Sequence, residues 1–511
     1  MIYQTFAAID VGSGELACKI FEVNKKTGIH EVDYVRHAIP LGAETFKSGK
    51  ISSHTTNELC DVLSGFVRKM EEYGTENYVA NATSAIREAA NNINMLEQVK
   101  LRTGLKVKIL SNSEQRFLYY KAMAAVDSFF EKVANEETLI IDVGAGSIQI
   151  TLMSEGSLKH TQNIDLGFLR VGELLAPMQQ QAERYPTLIA EYMNNDLTTF
   201  NRMFMGGKMP RNLISLSDHL SALKPYLMKE EEKPYLSSKK FLEFCKRIRG
   251  MYEQDICNEF NLNKEQVRAL QATLIIYERI CQAAQVERIW LSNATLCDGI
   301  AVDYSERKDK VTIGRDFTGD ILSTARYIAQ RYQSNTVHTD QVEYLATAIF
   351  DAVAKPFGLG KRDRLMLRLA AILHTCGEFV NMNKGAEFSY EIIMGTEILG
   401  LSHKEREMVA NIVRYGSETF PRYESVIVGV DRDTYLEVAK LTAIHRLANI
   451  MDKSHTQKFS DVRVTLKGDK LNISVATLDD MTLERGLFEP KAVFFEEVFG
   501  ILPVLKQKRK A

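Results

Sequence analysis

Two short segments share a residue pattern that suits phosphate chemistry: Asp10-Val11-Gly12-Ser13-Gly14 and Asp142-Val143-Gly144-Ala145-Gly146, their aspartates 132 positions apart. Glycine lets a backbone turn sharply and approach a ligand closely, leaving N–H groups that can cradle phosphate oxygens. An aspartate ahead of each turn suits hydrated Mg2+, a hard cation that keeps its waters and takes one or two carboxylates. A single Asp-x-Gly-x-Gly is equally an ordinary tight turn, or the opening of a dinucleotide-binding unit whose helix N-terminus meets phosphate. Both segments here run on into apolar strand sequence (LACKIFEV and IQITLM), so each is expected at a hairpin tip, the pair forming a two-lobed phosphate clamp.

Periodicity supplies the elements that must hold these turns. A hairpin is predicted from strands at 4–10 and 16–23. A helix follows over 54–73, where Leu59, Val62, Leu63, Phe66, Val67 and Met70 form one apolar stripe. Next come a strand near 77–81, helical sequence over 84–103, a strand at 106–110 and a helix over 113–128. The plan then restarts, with ETLIIDVGAGSIQITLM repeating QTFAAIDVGSGELACKIFEV. Residues 168–285 read as mainly helical, and a strand at Arg288-Ile289-Trp290-Leu291 completes the second lobe. From 316 onward amphipathic helices dominate, interrupted by a strand pair at 461–467 and 471–476 around Gly468-Asp469 and followed by a final helix in KAVFFEEVFGI. The expected division is a first lobe at 1–127, a second at 128–305 and a helical domain at 316–511, which suits 511 residues at about 100–200 per domain.

Composition narrows the classes. With 45% hydrophobic and 25% charged residues the chain reads as globular, and a net charge of −2 offers no global field for a polyanion. No sequence-specific nucleic-acid partner is expected, and the basic run Lys506–Lys510 reads as a solvated tail. The N-terminal sequence lacks a signal-peptide pattern and no run of eighteen apolar residues occurs, so no membrane partner and a cytoplasmic location are expected. Seven scattered cysteines fit reduced, buried thiols.

Further segments extend the pattern: ATSAIREA at 82–89, TGLKVKILSNSEQRFL at 103–118, Asp165-Leu166-Gly167-Phe168-Leu169-Arg170, Met205-Gly206-Gly207-Lys208, LANIMDKSH at 447–455 and FFEEVFG at 494–500. With the twin turns, they resemble the exopolyphosphatase/guanosine pentaphosphate phosphohydrolase (Ppx/GppA) family of the actin-like, sugar-kinase-like phosphotransferase superfamily. The resemblance covers nearly the whole chain. It implies an α/β fold of two actin-like (ribonuclease H-like) lobes followed by a mainly helical HD-like domain, with Mg2+-dependent release of terminal phosphate from inorganic polyphosphate or guanosine pentaphosphate. Phosphate binding would fall to Gly12, Ser13, Gly14, Arg87, Gly144, Ala145, Gly146, Ser147, Gly207 and Lys208, metal binding to Asp10 and Asp142. A homodimer through the C-terminal domain is the expected assembly.

The departures bear on catalysis. The family segment S-G-x-E-E-A-R-L ends its acidic pair in the glutamate thought to activate water, and that position is Gln115 here, Glu114 keeping the first. The second loop of the family carries a further glutamate where this chain has Gln149. Losing a general base costs about 10²–10⁴ in rate, roughly 3–5 kcal/mol of barrier, although small GTPases orient water with a glutamine. Gln115 aided by Gln149 would therefore position water, with Glu114 as a catalytic candidate and Glu15 as a metal candidate. Their plain readings are a first-turn helix acid and an exposed strand residue. The stretch Ser292–Gly299 lacks most of the glycines found in the family. His374-Thr375 replaces the His-Asp pair of metal-dependent HD enzymes, so His374 reads as a core histidine. A non-catalytic polyphosphate or guanosine polyphosphate sensor is the alternative function, and an ATP-dependent sugar-kinase-like transferase a third.

Overall fold

The structure, a computed structural model, describes residues 4–26, 28–175, 185–205, 209–229, 233–308, 315, 317–425 and 431–508. Strands β1 (Gln4–Val11), β2 (Glu15–Asn24) and β3 (Gly28–Ala38) form an antiparallel meander, and β4 (Tyr78–Ala82) and β5 (Val107–Ile109) join in parallel beyond β1, giving the order β3-β2-β1-β4-β5. The central strands are buried on both faces, so β1 reads as a continuous apolar run. Ala7, Ile9 and Val11 join one core with Leu59, Leu63 and Phe66 of α2 (Ser53–Glu72), while Phe6 and Ala8 join another. The predicted stripe on α2 is thus its packing face. Each such fully buried side chain contributes about 1.5–3 kcal/mol. The edge strand β3 has mostly exposed residues and carries Glu31, Asp33 and Arg36, a charged edge that sequence alternation alone did not single out.

The second lobe repeats the plan. Strands β6 (Thr138–Val143), β7 (Ile148–Ser154) and β8 (Ser157–Ile164) form the meander, and β9 (Asn212–Ser215), then β11 (Arg288–Leu291), pair in parallel beyond β6. A two-residue strand, β10 (Leu236–Ser237), closes the edge in the order β10-β11-β9-β6-β7-β8. The internal repeat is therefore a whole lobe, with actin-like topology in both copies. Strand β9 lies within sequence read as mainly helical, because its four wholly buried residues carry no alternation to distinguish a strand.

Helix α7 (Leu296–Arg307) departs from the division at residue 305, because it packs on the first sheet although chain order placed it with the second lobe. Leu296, Cys297, Ile300 and Ala301 share a core with Phe6, Ala8 and Leu118. A Cβ at Gly299 would stand 2.1 Å from the Leu118 carbonyl oxygen, so only glycine permits this approach to α5 (Asn112–Val126). Lys19 on β2 donates to Asp298 at 2.9 Å, a buried pair in which loss of one partner costs about 3–5 kcal/mol.

Residues Met1–Asp316 and Phe317–Ala511 form two units. In the second, helices α8 (Thr336–Val353), α9 (Lys361–Leu373), α10 (His403–Ser417), α11 (Arg432–Met451) and α12 (Thr482–Phe499) accompany a sheet of β12 (Val462–Lys467), β13 (Lys470–Ala476) and β14 (Leu502–Lys508). The hairpin turns at Gly468, where φ is 60°. The side chains of Lys506, Gln507 and Lys508 are exposed, as the solvated reading expects, while their backbone pairs in parallel with β13, whose alternating Leu471, Ile473 and Val475 are fully buried.

Candidate phosphate-binding site

The two Asp-x-Gly-x-Gly segments fold into the same turn. Gly12 N–H donates to the Glu15 carbonyl and Gly144 N–H to the Ser147 carbonyl, each at 3.0 Å. A Cβ would lie 2.6 Å from the Glu15 oxygen at Gly12 and 3.3 Å from the Ser147 oxygen at Gly144, so close turning explains the first glycine of each. Asp10 and Asp142 are the penultimate residues of the preceding strands, Asp142 directly opposite Gln149 in the β6–β7 register and thus on the same face.

Ser84, at the start of α3 (Ser84–Glu88), lies between the turns. Its Oγ is 2.9 Å from Ser13 Oγ and 3.3 Å from where a Cβ at Gly146 would stand. Ser13 Oγ also accepts from Ala85 N at 3.0 Å, so this side chain, expected at the phosphate, holds α3. A Cβ at Gly146 would lie 2.6 Å from Phe46 Cζ on α1 (Leu41–Ser48). Arg170, on α6 (Phe168–Leu175), stands over the Phe46 ring, donates from Nε to the Gly146 carbonyl at 2.7 Å and pairs with Glu88 at 2.5 Å. The carbonyls of Gly144 and Ala145 accept from the first amides of α6, which shapes the second turn. Ala145, Gly146 and Ser147 are buried there, while Gly14 of the first turn is exposed. Gly207 and Lys208 lie outside the described residues.

The N-terminal end of α5 brings further side chains to this region. Arg87 donates from Nη1 to the Leu110 carbonyl at 2.7 Å and from Nη2 to Asn112 Oδ1 at 2.5 Å, bracing the entry to the helix. Glu114 is spent locally. It closes a capping box with Ser111 and receives Lys108 Nζ at 2.6 Å, the arrangement of a first-turn helix acid rather than of a catalytic base. Gln115 has its side-chain oxygen enclosed without a hydrogen-bond donor from the protein. Next to it, Arg116 is 2% exposed and donates from Nε to Gln149 Oε1 at 3.0 Å and from Nη1 to Thr161 Oγ1. Gln149 therefore serves Arg116. Glu15 is a half-buried residue at the start of β2, facing Arg36 at 3.7 Å.

Sequence reasoning gave no role to Phe46, Ser84 or Arg116. Only Arg116 left a signal, since it replaces the alanine of the family segment directly after Gln115. Among the described residues no group of three or more His, Cys, Asp or Glu side chains is arranged to hold a metal ion. The carboxylates left at the turns, Asp10 and Asp142, suit a cation that keeps most of its water, not one caged by protein.

A separate cluster lies in the helical unit. His374 Nδ1 bonds the Ala371 carbonyl at 2.8 Å, its Nε2 lies 3.3 Å from His338 Nε2, and His338 Nδ1 is 2.8 Å from Asp452 Oδ2. His455 stacks on His338, and His445 meets His374 edge-on. Burial holds His374 well below the usual imidazole range and pushes His445 down to about 4. His374 is thus a bonded core histidine, although its neighbours were invisible from its local sequence.

Two similar lobes meeting at paired glycine turns, with arginines and amides gathered beside them, define a two-lobed α/β protein of actin-like plan. The Ppx/GppA phosphatase family pattern matches residues 20–308, and the pattern for Ppx/GppA phosphatase domain III matches residues 322–489. The chain belongs to the Ppx/GppA phosphatase family. A guanosine-5'-triphosphate,3'-diphosphate pyrophosphatase of Aeromonas hydrophila is 20% identical over 474 residues, spanning 91% of this chain and 90% of its own. A protein of the same name from Vibrio vulnificus is 19% identical over 479 residues, spanning 92% and 91%. The structure of an exopolyphosphatase from Cytophaga hutchinsonii superposes with a TM-score of 0.53 at 17% identity, covering 61% of this chain and 100% of its own, which supports the fold of the lobes.

Proposed function

We propose that the chain is a phosphoanhydride hydrolase that releases terminal phosphate from guanosine pentaphosphate or inorganic polyphosphate, at a rate lowered by the amides at Gln115 and Gln149. The observation that carries this reading is the enclosed Gln115 side-chain oxygen, which lacks a protein donor; Gln115 directly precedes Arg116, the residue bonded to Gln149 opposite Asp142. A water molecule satisfies such an acceptor. Gln115 then orients the attacking water without taking its proton, which suits phosphoryl transfer, where positioning and charge stabilisation do most of the work. The Gly12 and Gly144 amides hold the turns themselves, so phosphate oxygens are received by the following amides, those of Ser13, Gly14 and Gly146, and Arg116 adds positive charge. Arg87 acts by bracing α5, and Ser13 by placing α3. Asp10 and Asp142 would hold hydrated Mg2+, which supplies charge neutralisation on the phosphates when bound. The names of the relatives support both substrates.

The hydrogen bond from Arg116 to Gln149 favours a second reading, a sensor that binds the same anions without turnover, since it puts a cation and an amide where the family pattern has a carboxylate. Phosphate release from each substrate with Mg2+ decides between them: release above a no-protein control supports the hydrolase, and saturable binding with none supports the sensor. A homodimer through the helical unit and a cytoplasmic setting complete the proposal. No described helix is long and apolar enough to cross a membrane.

A further inference from the structure

The helical unit contains a cavity of about 530 Å³ bordered by α11, α12 and the segment after α10. Four cations line it, Arg422, Lys440, Arg446 and Lys491, and none has an ion pair among the described residues. Arg446, 8% exposed, donates from Nε to the Tyr415 carbonyl at 2.7 Å and from Nη2 to the Glu418 carbonyl at 2.5 Å, both neutral acceptors. Lys491 has no hydrogen bond or ion pair among the described residues, and burial, then the charges of Arg446 and Lys453, lowers its pKa. Lys440 donates to the Phe357 carbonyl at 3.1 Å, and Arg422 is exposed. Of the acids lining the cavity, Glu418 is paired with Arg414 at 3.0 Å and Glu497 is exposed. Residues 426–430 read Val-Ile-Val-Gly-Val and contain no acid.

Holding cations out of water beside one another is unfavourable unless an anion compensates them. The walls add a second chemistry. Phe494 lies under the Arg446 guanidinium, 4.3 Å from ring centroid to Cζ, and Phe420 stands 5.2 Å from Phe494 and 5.4 Å from Tyr435. A flat aromatic group stacks well on such a surface, and the volume matches an ordinary small-molecule site of about 300–1,000 Å³.

We propose that this cavity binds a nucleoside phosphate, with its phosphate on Arg446 and Lys491 and its base against the Phe420–Tyr435 wall. The site lies wholly within the helical unit. It stands independently of the proposed hydrolase activity.

The test is photo-crosslinking of the full chain with 8-azidoguanosine 5'-triphosphate, followed by peptide mapping. Label is expected within 415–440 or 491–498, and Lys491→Met should reduce it at least about tenfold, the weight of one charged hydrogen bond. Lys491→Arg should retain it. Labelling of the lobes should be unchanged in both variants, which separates a lost site from a misfolded protein. GTP should compete at least about tenfold better than inorganic triphosphate, which has the charge without the base. Absence of label from these peptides, equal label in Lys491→Met, or equal competition by triphosphate would overturn the proposal.

Discussion

Arg116 on α5 donates from Nε to Gln149 Oε1 on β7 at 3.0 Å, bonding a helix of the first lobe to a strand of the second. Gln149 also lies opposite Asp142 in the sheet, so this bond places a guanidinium beside the strand that carries the second phosphate turn. The amide and the arginine work together. A carboxylate at 149 would offer a metal or a proton a site, whereas an amide bound to a cation favours an anionic ligand.

Replacing Arg116 with methionine removes the donor to two buried acceptors, Gln149 and Thr161. Thr161 keeps its bond to Thr151 at 2.8 Å, whereas the orphaned Gln149 oxygen costs about 1–3 kcal/mol. The urea midpoint of Arg116→Met should fall accordingly, and its Kd for polyphosphate should rise at least about tenfold, the effect of losing one charged contact. An unchanged Kd would remove Arg116 from the binding site.

The close contact between Gly146 and Phe46 couples the lobes. Gly146→Ala puts a methyl 2.6 Å from Phe46 Cζ and should destabilise by about 1–3 kcal/mol. In a Phe46→Ala background the same change should cost much less, giving a coupling energy above about 0.5 kcal/mol in a double-mutant cycle of urea unfolding. Strict additivity would show that the two residues do not meet in solution.

The imidazole cluster predicts a pH dependence. Burial pushes His445 down to about 4 from its ordinary 6.5, so it stays neutral in the fold while the unfolded chain protonates near 6.5. Between those values the unfolded state binds the extra proton, and stability must fall as pH drops, by about 1.4 kcal/mol per pH unit. Across the window this reaches about 3 kcal/mol for His445 alone, with His374 acting in the same direction. Urea unfolding at pH 7 and pH 4.5 should show a smaller loss for His445→Gln than for wild type. Equal losses would place the acid sensitivity elsewhere.

Much of this architecture was legible because it is local. The glycine turns, the apolar stripe of α2 and the restart of the pattern near residue 138 all lie in contiguous sequence. The capping role of Glu114 follows from Ser111-x-x-Glu114 by spacing alone. What escaped depends on contacts between distant segments. Cys297 Sγ reaches the carbonyl of Ala8, 289 positions away, so nothing local to α7 says which sheet it covers. His338 and Asp452 are 114 positions apart, and His338 and His374 are 36. Arg116 bonds Gln149 across 33 positions and between lobes, so its role emerges only when the lobes are assembled. Arg87 was implied as a phosphate ligand by the family resemblance alone, and its bonds to the Leu110 carbonyl and Asn112 emerge only in the fold.

The central claim is that the scaffold binds phosphoanhydrides and retains slow hydrolysis through a water-orienting amide. Its most direct test measures phosphate release from guanosine pentaphosphate and long-chain polyphosphate with Mg2+, comparing wild type with Gln115→Glu. The account predicts wild-type release above a no-protein control and an increase of about 10²-fold or more when a base is supplied at that position. Binding of both substrates with no release from either protein would contradict it and leave the chain a sensor.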